Sequence, residues 1–480
     1  MSDRCRHLAI VFLFLLPVAL PAFGEAKADP KDLSTRLSFD ARGVEKDIGK
    51  FVAARSAPNG LVPSFLNSAP SLFSESDGQF HQRIYGKMGY VDDQAFTYDL
   101  ALYTIGLLLN GETEQAEKIL NALEKDFYLP KNGSYGLFNA YVVTSKIPRG
   151  DMEMGGDGDR IHAGPTLWVA LAALNHMKLQ RNTRYLEFVL DIMHWCRTEL
   201  TYYRFPDGER GAISMGMGWG PPWFKIFSTE HNIDYFSVLQ MLRQIYDESP
   251  ENVRKIFANR NIDPAWLDDE MKHVGRWLRE VAYNKEKGCF QAGVNMNGPD
   301  PTKILDGTSW GLGGVGPENY AAWGIDLEDL INHTEKYFLA TYKLPNGRAV
   351  EGFDITDMEG YRRNRKPLVW FEGTGQQIIA YRELAKYYES RNEKEKARRA
   401  NEKAVQFTED MHAFSEFYGL RGGLPYMAIA PKQTEIVKTL FWEWEIPRGK
   451  STDIWVGSAS STMWYLYCVH NFYNPMKWKD

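Results

Sequence analysis

Three acidic residues stand where a carboxyl group could act as an acid or a base. Glu230 lies in S-T-E-H-N-I-D (Ser228 to Asp234), behind Trp219, Trp223, Phe224 and Phe227. Asp93 lies beside Asp92 in Y-V-D-D-Q-A-F-T-Y-D (Tyr90 to Asp99), and Glu372 is flanked by Trp370 and Phe371 in V-W-F-E-G-T-G-Q-Q (Val369 to Gln377). A carboxyl group set among aromatic rings loses hydration, which disfavours its charged form and raises its pKa into the range of a general acid. Two such groups facing each other across a bond suit glycoside hydrolysis, at about 5–5.5 Å for retention of configuration and about 6.5–9.5 Å for inversion. Glu230 fits the acid best. Its ordinary alternative is a first-turn carboxylate facing the helix dipole. Asp92 and Asp93 are adjacent, and a helix start needs only one cap, so one of them is left to face a ligand. Thr374-x-x-Gln377 has the form of a capping box, which places Glu372 just outside its helix.

Around these acids stand residues suited to holding a sugar. His162, His231 and Asn232 can hydrogen-bond hydroxyls, as can Asp92, while Asp234 falls inside its helix and buttresses the site. Trp219, Trp223, Trp310, Trp323, Trp370 and Trp455 offer faces on which sugar rings stack, with core packing as the alternative. Asp99 sits further along an apolar helix, where an acid needs a partner, and an ion pair is expected. The acids of D-M-E-M-G-G-D-G-D-R (Asp151, Glu153, Asp157, Asp159) lack the spacing of an EF-hand and read as an exposed loop. His162 and His231 lie on separate segments without cysteine partners, so no zinc site is expected. No phosphate-binding or dinucleotide fingerprint occurs, and no cofactor is expected.

The elements that position these residues are helices of two kinds. Glu112 to Phe127, Pro264 to Ala282 and Asn392 to Phe414 carry one apolar stripe and a charged face, as surface helices do. Phe96 to Leu109, Pro165 to Leu174, Ile233 to Ile245, Ile378 to Tyr388 and Ser460 to Val469 are apolar nearly all round and must be covered on every side. The kinds alternate: 93–110, 164–178, 231–247, 372–390 and 454–472 are inner, and 112–127, 182–202, 263–284 and 392–415 are outer. Segment 319–342 reads as a weaker inner/outer pair, and Ala41 to Arg55 supplies a partner for the last inner helix. This alternation predicts an all-α fold, an (α/α)6 toroid with aromatic-rich loops. A polar segment precedes each inner helix: 90–99, 157–168, 228–234, 316–323, 369–377 and 453–460. In a toroid these six meet at one face, where helix N-termini offer unpaired N–H groups.

That layout, with G-L-V-P-S-F (Gly60 to Phe65) ahead of Y-V-D-D-Q-A-F-T-Y-D and with V-W-F-E-G-T and G-G-L-P-Y (Gly422 to Tyr426) later, resembles the six-hairpin glycosidase superfamily. The likeness spans about residues 40 to 475. It implies an (α/α)6 barrel acting on carbohydrate, and it assigns no catalytic residue.

The rest of the sequence bounds the setting. The 480 residues are 44% hydrophobic and 25% charged, an ordinary globular composition. With a formal charge of −6 and no block of basic residues, neither nucleic acid nor an anionic membrane is an expected partner. Arg4, Arg6 and His7 precede an apolar run from Leu8 to Leu20 and then small residues, the pattern of a secretory signal peptide over 1–28, cleaved after Gly24 or Ala28. The run is too short to span a membrane. The expectation is therefore a single toroid over 29–480, periplasmic or secreted, monomeric, and hydrolysing a poly- or oligosaccharide. Beyond the signal, Cys196, Cys289 and Cys468 read as buried thiols, although one disulfide is open to them. A polysaccharide lyase, a sugar epimerase using His162 and His231, and a non-catalytic glycan-binding or assembly protein are the alternatives.

Overall fold

In the computed structural model the chain closes into two concentric layers of helices. The structure describes residues 36–53, 60–67, 94–125, 128–131, 134–143, 160–218, 222–357, 367–420, 423–428, 436–438, 443–445 and 456–479. In chain order the helices are α1 (Ala41–Ala53), α2 (Thr97–Leu109), α3 (Thr113–Lys125), α4 (Ala163–Gln180), α5 (Leu186–Glu199), α6 (Thr229–Glu248), α7 (Glu251–Asn259) and α8 (Pro264–Trp277). They continue as α9 (Asp306–Gly314), α10 (Pro317–Ala322), α11 (Leu327–Phe338), α12 (Phe371–Ser390), α13 (Lys394–Phe417) and α14 (Ala459–Val469). The inner ring runs α2, α4, α6, α9, α12, α14 and back to α2, each packed on the next. Outside it, α3 covers α2, α5 covers α4, α8 covers α6, α11 covers α9, α13 covers α12 and α1 covers α14. The fold is an (α/α)6 toroid.

The inner helices are buried along their length because they have no polar face to offer water. In α14 every residue from Ala459 to Val469 is buried, and in α2 only Tyr98 and Leu109 keep partial exposure. The outer helices bury one stripe: Ala397, Ala400, Ala404, Phe407 and Met411 of α13 lie inward, as their spacing predicts. Asp263 caps α8 by accepting from the Trp266 N–H at 2.7 Å, with Pro264 in the first turn. Cys196, Cys289 and Cys468 are buried free thiols. Among the described residues no helix is long and apolar enough to cross a membrane.

Two elements differ from the sequence reading. The fourth inner helix is α9, over Asp306–Gly314, rather than a segment beginning near 319. Its sequence, D-G-T-S-W-G-L-G-G, is poor in helix propensity because glycine has the largest backbone entropy to lose. Packing holds it instead: a Cβ on Gly307 would meet the Phe290 side chain at 2.2 Å, and one on Gly311 the Tyr320 hydroxyl at 1.8 Å. Segment 319–342 is therefore peripheral, forming the end of α10 and all of α11. The other difference is α12, which begins at Phe371, so Glu372 lies inside its first turn. Thr374 does not cap: its hydroxyl donates to Trp370 O at 2.7 Å and accepts from Phe353 N at 2.9 Å.

One pattern repeats around the ring. A short extended segment leads into each inner helix and pairs with the loop approaching the next hairpin: 94–96 with 140–142, 160–162 with 216–218, 227–228 with 293–294, 369–370 with 427–428, and 456–458 with 65–67. In the fourth hairpin a single bridge, Ile304 to Thr356, does the same. Immediately beyond, the N–H of Thr97, Ala163, Thr229, Leu305, Phe371 and Ala459 donates to the carbonyl of Asn139, Met215, Ala292, Ile355, Tyr426 and Ser64 respectively, at 2.8 to 3.2 Å. At the opposite end the C-terminal segment crosses the barrel. Asn474 donates to Gly313 O at 2.9 Å, and the Asn175 amide donates to Pro475 O at 2.8 Å.

Trp168 is buried and wedged between inner helices. Trp168→Ala is expected to lower stability by about 3–5 kcal/mol, read as a fall in the urea midpoint with an unchanged slope.

Candidate active site

The repeating register sets two rings of side chains. Two residues beyond the last residue of each lead-in segment come Tyr98, Gly164, Glu230, Asp306, Glu372 and Ser460. One helical turn later, on the same faces, come Leu102, Trp168, Asp234, Trp310, Gln376 and Trp464. The second ring makes a floor. Ring centroids of Trp168, Trp310 and Trp464 lie 5.4, 5.9 and 6.1 Å apart in edge contacts, and Tyr98 sits 5.3 Å from Trp168 and 5.9 Å from Trp310. The Trp310 indole N–H donates to Asp234 Oδ1 at 2.8 Å.

On this floor stand three carboxyl groups from consecutive inner helices. Asp306 and Glu372 are buried, and Glu230 is half-buried. Burial pushes the Glu230 carboxyl up to about 7, with the charge of Glu372 adding to it. Glu372 is likewise pushed up to about 7 by burial, against hydrogen bonds from Ser460 and Tyr98 that favour its charged form. Burial, then the charges of Glu230 and Glu372, hold Asp306 well above the carboxylate range. Asp234, beneath them, is raised by burial and by Glu230. Among the described residues no lysine or arginine forms an ion pair with any of these acids.

The two glutamates are held differently. Glu372 Oε1 accepts from the Tyr98 hydroxyl at 2.9 Å and from the Gln376 amide at 3.3 Å, and the Trp464 indole N–H in turn donates to Tyr98 at 2.8 Å. The Glu230 carboxyl has no hydrogen-bond partner among the described residues. Both are raised to about 7 by burial, but Glu372 is a fixed acceptor whose donors partly offset that rise, whereas Glu230 is partly exposed and has no such donor among the described residues.

Two histidines flank Glu230. His162 and His231 have ring centroids 6.0 Å apart, and Trp223 packs edge-on against His162 at 4.7 Å. Gly164 makes their arrangement feasible, since a Cβ there would lie 2.4 Å from His231 Cδ2. Burial lowers His231 to about 4. Burial, then His231 and Arg160, lowers His162 well below its ordinary value, so both rings are neutral at pH 7.

The other residues singled out in the sequence fall in several places. Asn232 spends its amide on backbone, accepting from Ile213 N at 2.8 Å and donating to Ile213 O at 3.0 Å and Ser228 O at 2.8 Å, which clasps a neighbouring strand to α6. Trp310 is a floor element with both edges packed. Trp370 is buried with its ring 6.2 Å from Tyr426. Trp323 packs against Phe236 and Tyr320 at 5.7 Å in the outer layer, away from the carboxyl groups. Asp99 is held not by an ion pair but by a hydrogen bond with Ser64, and burial lifts it to about 8. Asp92, Asp93, Trp219 and Trp455 lie outside the described residues, as do Asp151, Glu153, Asp157 and Asp159. Sequence reasoning missed Asp306, Tyr98 and Ser460. Aligning the helix starts on their lead-in segments would have found all three.

The sequence matches no protein-family profile and no curated protein. Solved structures share the fold. A family 76 glycoside hydrolase from a bovine Bacteroides thetaiotaomicron strain superposes with a TM-score of 0.56 at 11% identity, over 90% of this chain and 78% of that one. Cellobiose 2-epimerase from Bacillus thermoamylovorans gives 0.52 at 11% identity, over 89% of this chain and 98% of its own. A sugar epimerase from a ruminal bacterium gives 0.51 at 10% identity, with 89% and 98% covered. At these identities the likeness shows the six-hairpin fold.

The raised acids carry a stability consequence. A carboxyl whose folded pKa exceeds its unfolded value binds more protons in the folded state, so its contribution is full below the unfolded pKa and is lost as pH rises through the folded one. For Glu230 and Glu372 that window runs from the model value of 4.5 to about 7. Glu230→Gln and Glu372→Gln should each melt above the wild type at pH 8, with the gap closing by pH 4. Thermal melts across that range check it.

Proposed function

We propose that this chain is an exported glycoside hydrolase in which Glu230 is the general acid and Glu372 the facing carboxylate. The asymmetry of the pair carries the reading. Glu230 is unbonded, partly exposed and raised to about 7, as a proton donor to a leaving oxygen must be. Glu372 is fixed by Tyr98 and Gln376, donors that hold its oxygen in place and partly offset the rise from burial, as suits a base or nucleophile. Tyr98, Gln376 and Trp464 are positioning residues that act through Glu372. The (α/α)6 fold shared with a family 76 glycoside hydrolase and with cellobiose 2-epimerase supports a carbohydrate substrate. The signal-peptide pattern over 1–28 supports export to the periplasm or medium, where poly- and oligosaccharides are met.

Chemically, a glycosidic oxygen seated beside Glu230 receives its proton as the bond to the anomeric carbon breaks. Glu372 meets the opposite side of that carbon or the attacking water. Trp223 is buried beside His162 with the Arg160 guanidinium 4.8 Å over its ring, so it supports His162 from behind.

One observation favours a second reading. His162 and His231 are neutral, buried and 6.0 Å apart, which suits proton abstraction and return at a carbon in a sugar epimerase. The products separate the two: hydrolysis shortens the chain, whereas epimerisation changes the reducing-end sugar and leaves the length intact.

Against a panel of polysaccharides, Glu230→Gln is expected to lower kcat by about 10²- to 10⁴-fold with folding retained. Full activity in that variant removes Glu230 from the mechanism. Tyr98→Phe should lower kcat more mildly and shift the acid limb of the pH profile upward, because Glu372 loses a donor that favours its charge.

A further inference from the structure

The site gathers five carboxyl groups, Asp99, Glu230, Asp234, Asp306 and Glu372, around one volume, with no lysine or arginine paired to any of them among the described residues. Hydrolysis needs two. Asp99 is bonded to Ser64, and Asp234, one turn deeper, has its Oδ1 bonded to Trp310 while its Oδ2 is buried without a partner. Asp306 is 6% exposed, its Oδ1 is buried without a hydrogen-bond partner, and the charges acting on it come from Glu230 and Glu372. A buried acceptor without a donor is costly, and a ligand group that donates to it relieves that cost.

Resting on the hydrolase reading, we propose that the substrate is an amino-sugar glycan and that Asp306 receives the free ammonium group of the sugar bound between Glu230 and Glu372. A hydroxyl or an acetamide N–H would satisfy Asp306 with one hydrogen bond. An ammonium does that and also draws favourable energy from every other carboxylate facing the volume, where low dielectric strengthens the attraction. The same cluster disfavours acidic sugars, whose carboxylate would add to the repulsion. His162 and His231 are neutral rings and do not compete for the ammonium. Lys303, the nearest cation along the chain to Asp306, is engaged by Asp357 at 2.7 Å.

Calorimetry with glucosamine and galactosamine, against glucose, galactose and the two N-acetyl sugars, tests this at pH 7 without assuming a linkage. The amines are expected to bind at least tenfold more tightly than their neutral counterparts. Their binding should release protons, seen as a heat that varies with buffer ionisation enthalpy, because an ammonium lowers the raised acids around it. Asp306→Asn, and independently Asp306→Ser, should erase the preference by weakening amine binding at least tenfold more than neutral-sugar binding. Equal affinity for amines and neutral sugars, no binding of any of the six, or a preference that survives both substitutions would each overturn the proposal. So would calcium or magnesium binding to the wild type at Asp306 in place of the amines. Turnover of neutral glycans without an amine preference would sink this inference and leave the hydrolase intact. Amine binding at Asp306 with no glycan cleaved would do the reverse.

Discussion

A single hydrogen bond, repeated six times, sets the geometry of this protein. The N–H at the start of each inner helix donates to the carbonyl of the loop approaching the next hairpin. That bond satisfies one of the donors a helix start leaves open, and it fixes the rotation of each helix about its axis. Rotation decides which side chains face the barrel axis. Once it is set six times, Tyr98, Gly164, Glu230, Asp306, Glu372 and Ser460 share one level, and Trp168, Trp310 and Trp464 share the next. The chemistry of the mouth is thus a consequence of backbone pairing, and the side chains inherit their positions from it.

The aromatic floor then determines how the carboxyl groups behave. Three indoles packed edge to edge leave little water below the acids, so their charged forms are poorly solvated and their pKa values rise. The floor also distributes its few donors unevenly. Trp464 reaches Glu372 through Tyr98, Trp310 serves Asp234, and among the described residues nothing donates to Glu230. Two glutamates with similar raised values therefore come to differ in what their neighbours favour.

Much of this was legible in the sequence. Helices with no polar face cannot lie at a surface, so the alternation of inner and outer kinds predicted the toroid. Glu230 and Glu372 were singled out because each interrupts an apolar run beside aromatic residues. Asp306 was not, since four glycines hide α9 from any propensity argument, and the close approaches of Phe290 and Tyr320 that require them are long-range. Glu372 was placed a turn too early because T-x-x-Q matches a capping box that the Thr374 hydroxyl, bonded to Trp370 and Phe353, does not form. Asn232 looked like a ligand contact because an amide carries no sign of whether backbone or sugar will use it. Trp323 looked like a platform because stacking and packing demand the same residue.

The central claim is that Glu230 and Glu372 form an interacting pair whose protons leave near neutral pH. A difference proton titration between the wild type and the Glu230→Gln/Glu372→Gln double variant measures it directly. The account predicts that the wild type takes up additional protons between about pH 8 and pH 5, in two overlapping steps, as expected for interacting acids. Uptake confined below pH 5 would mean two ordinary carboxylates and would contradict it.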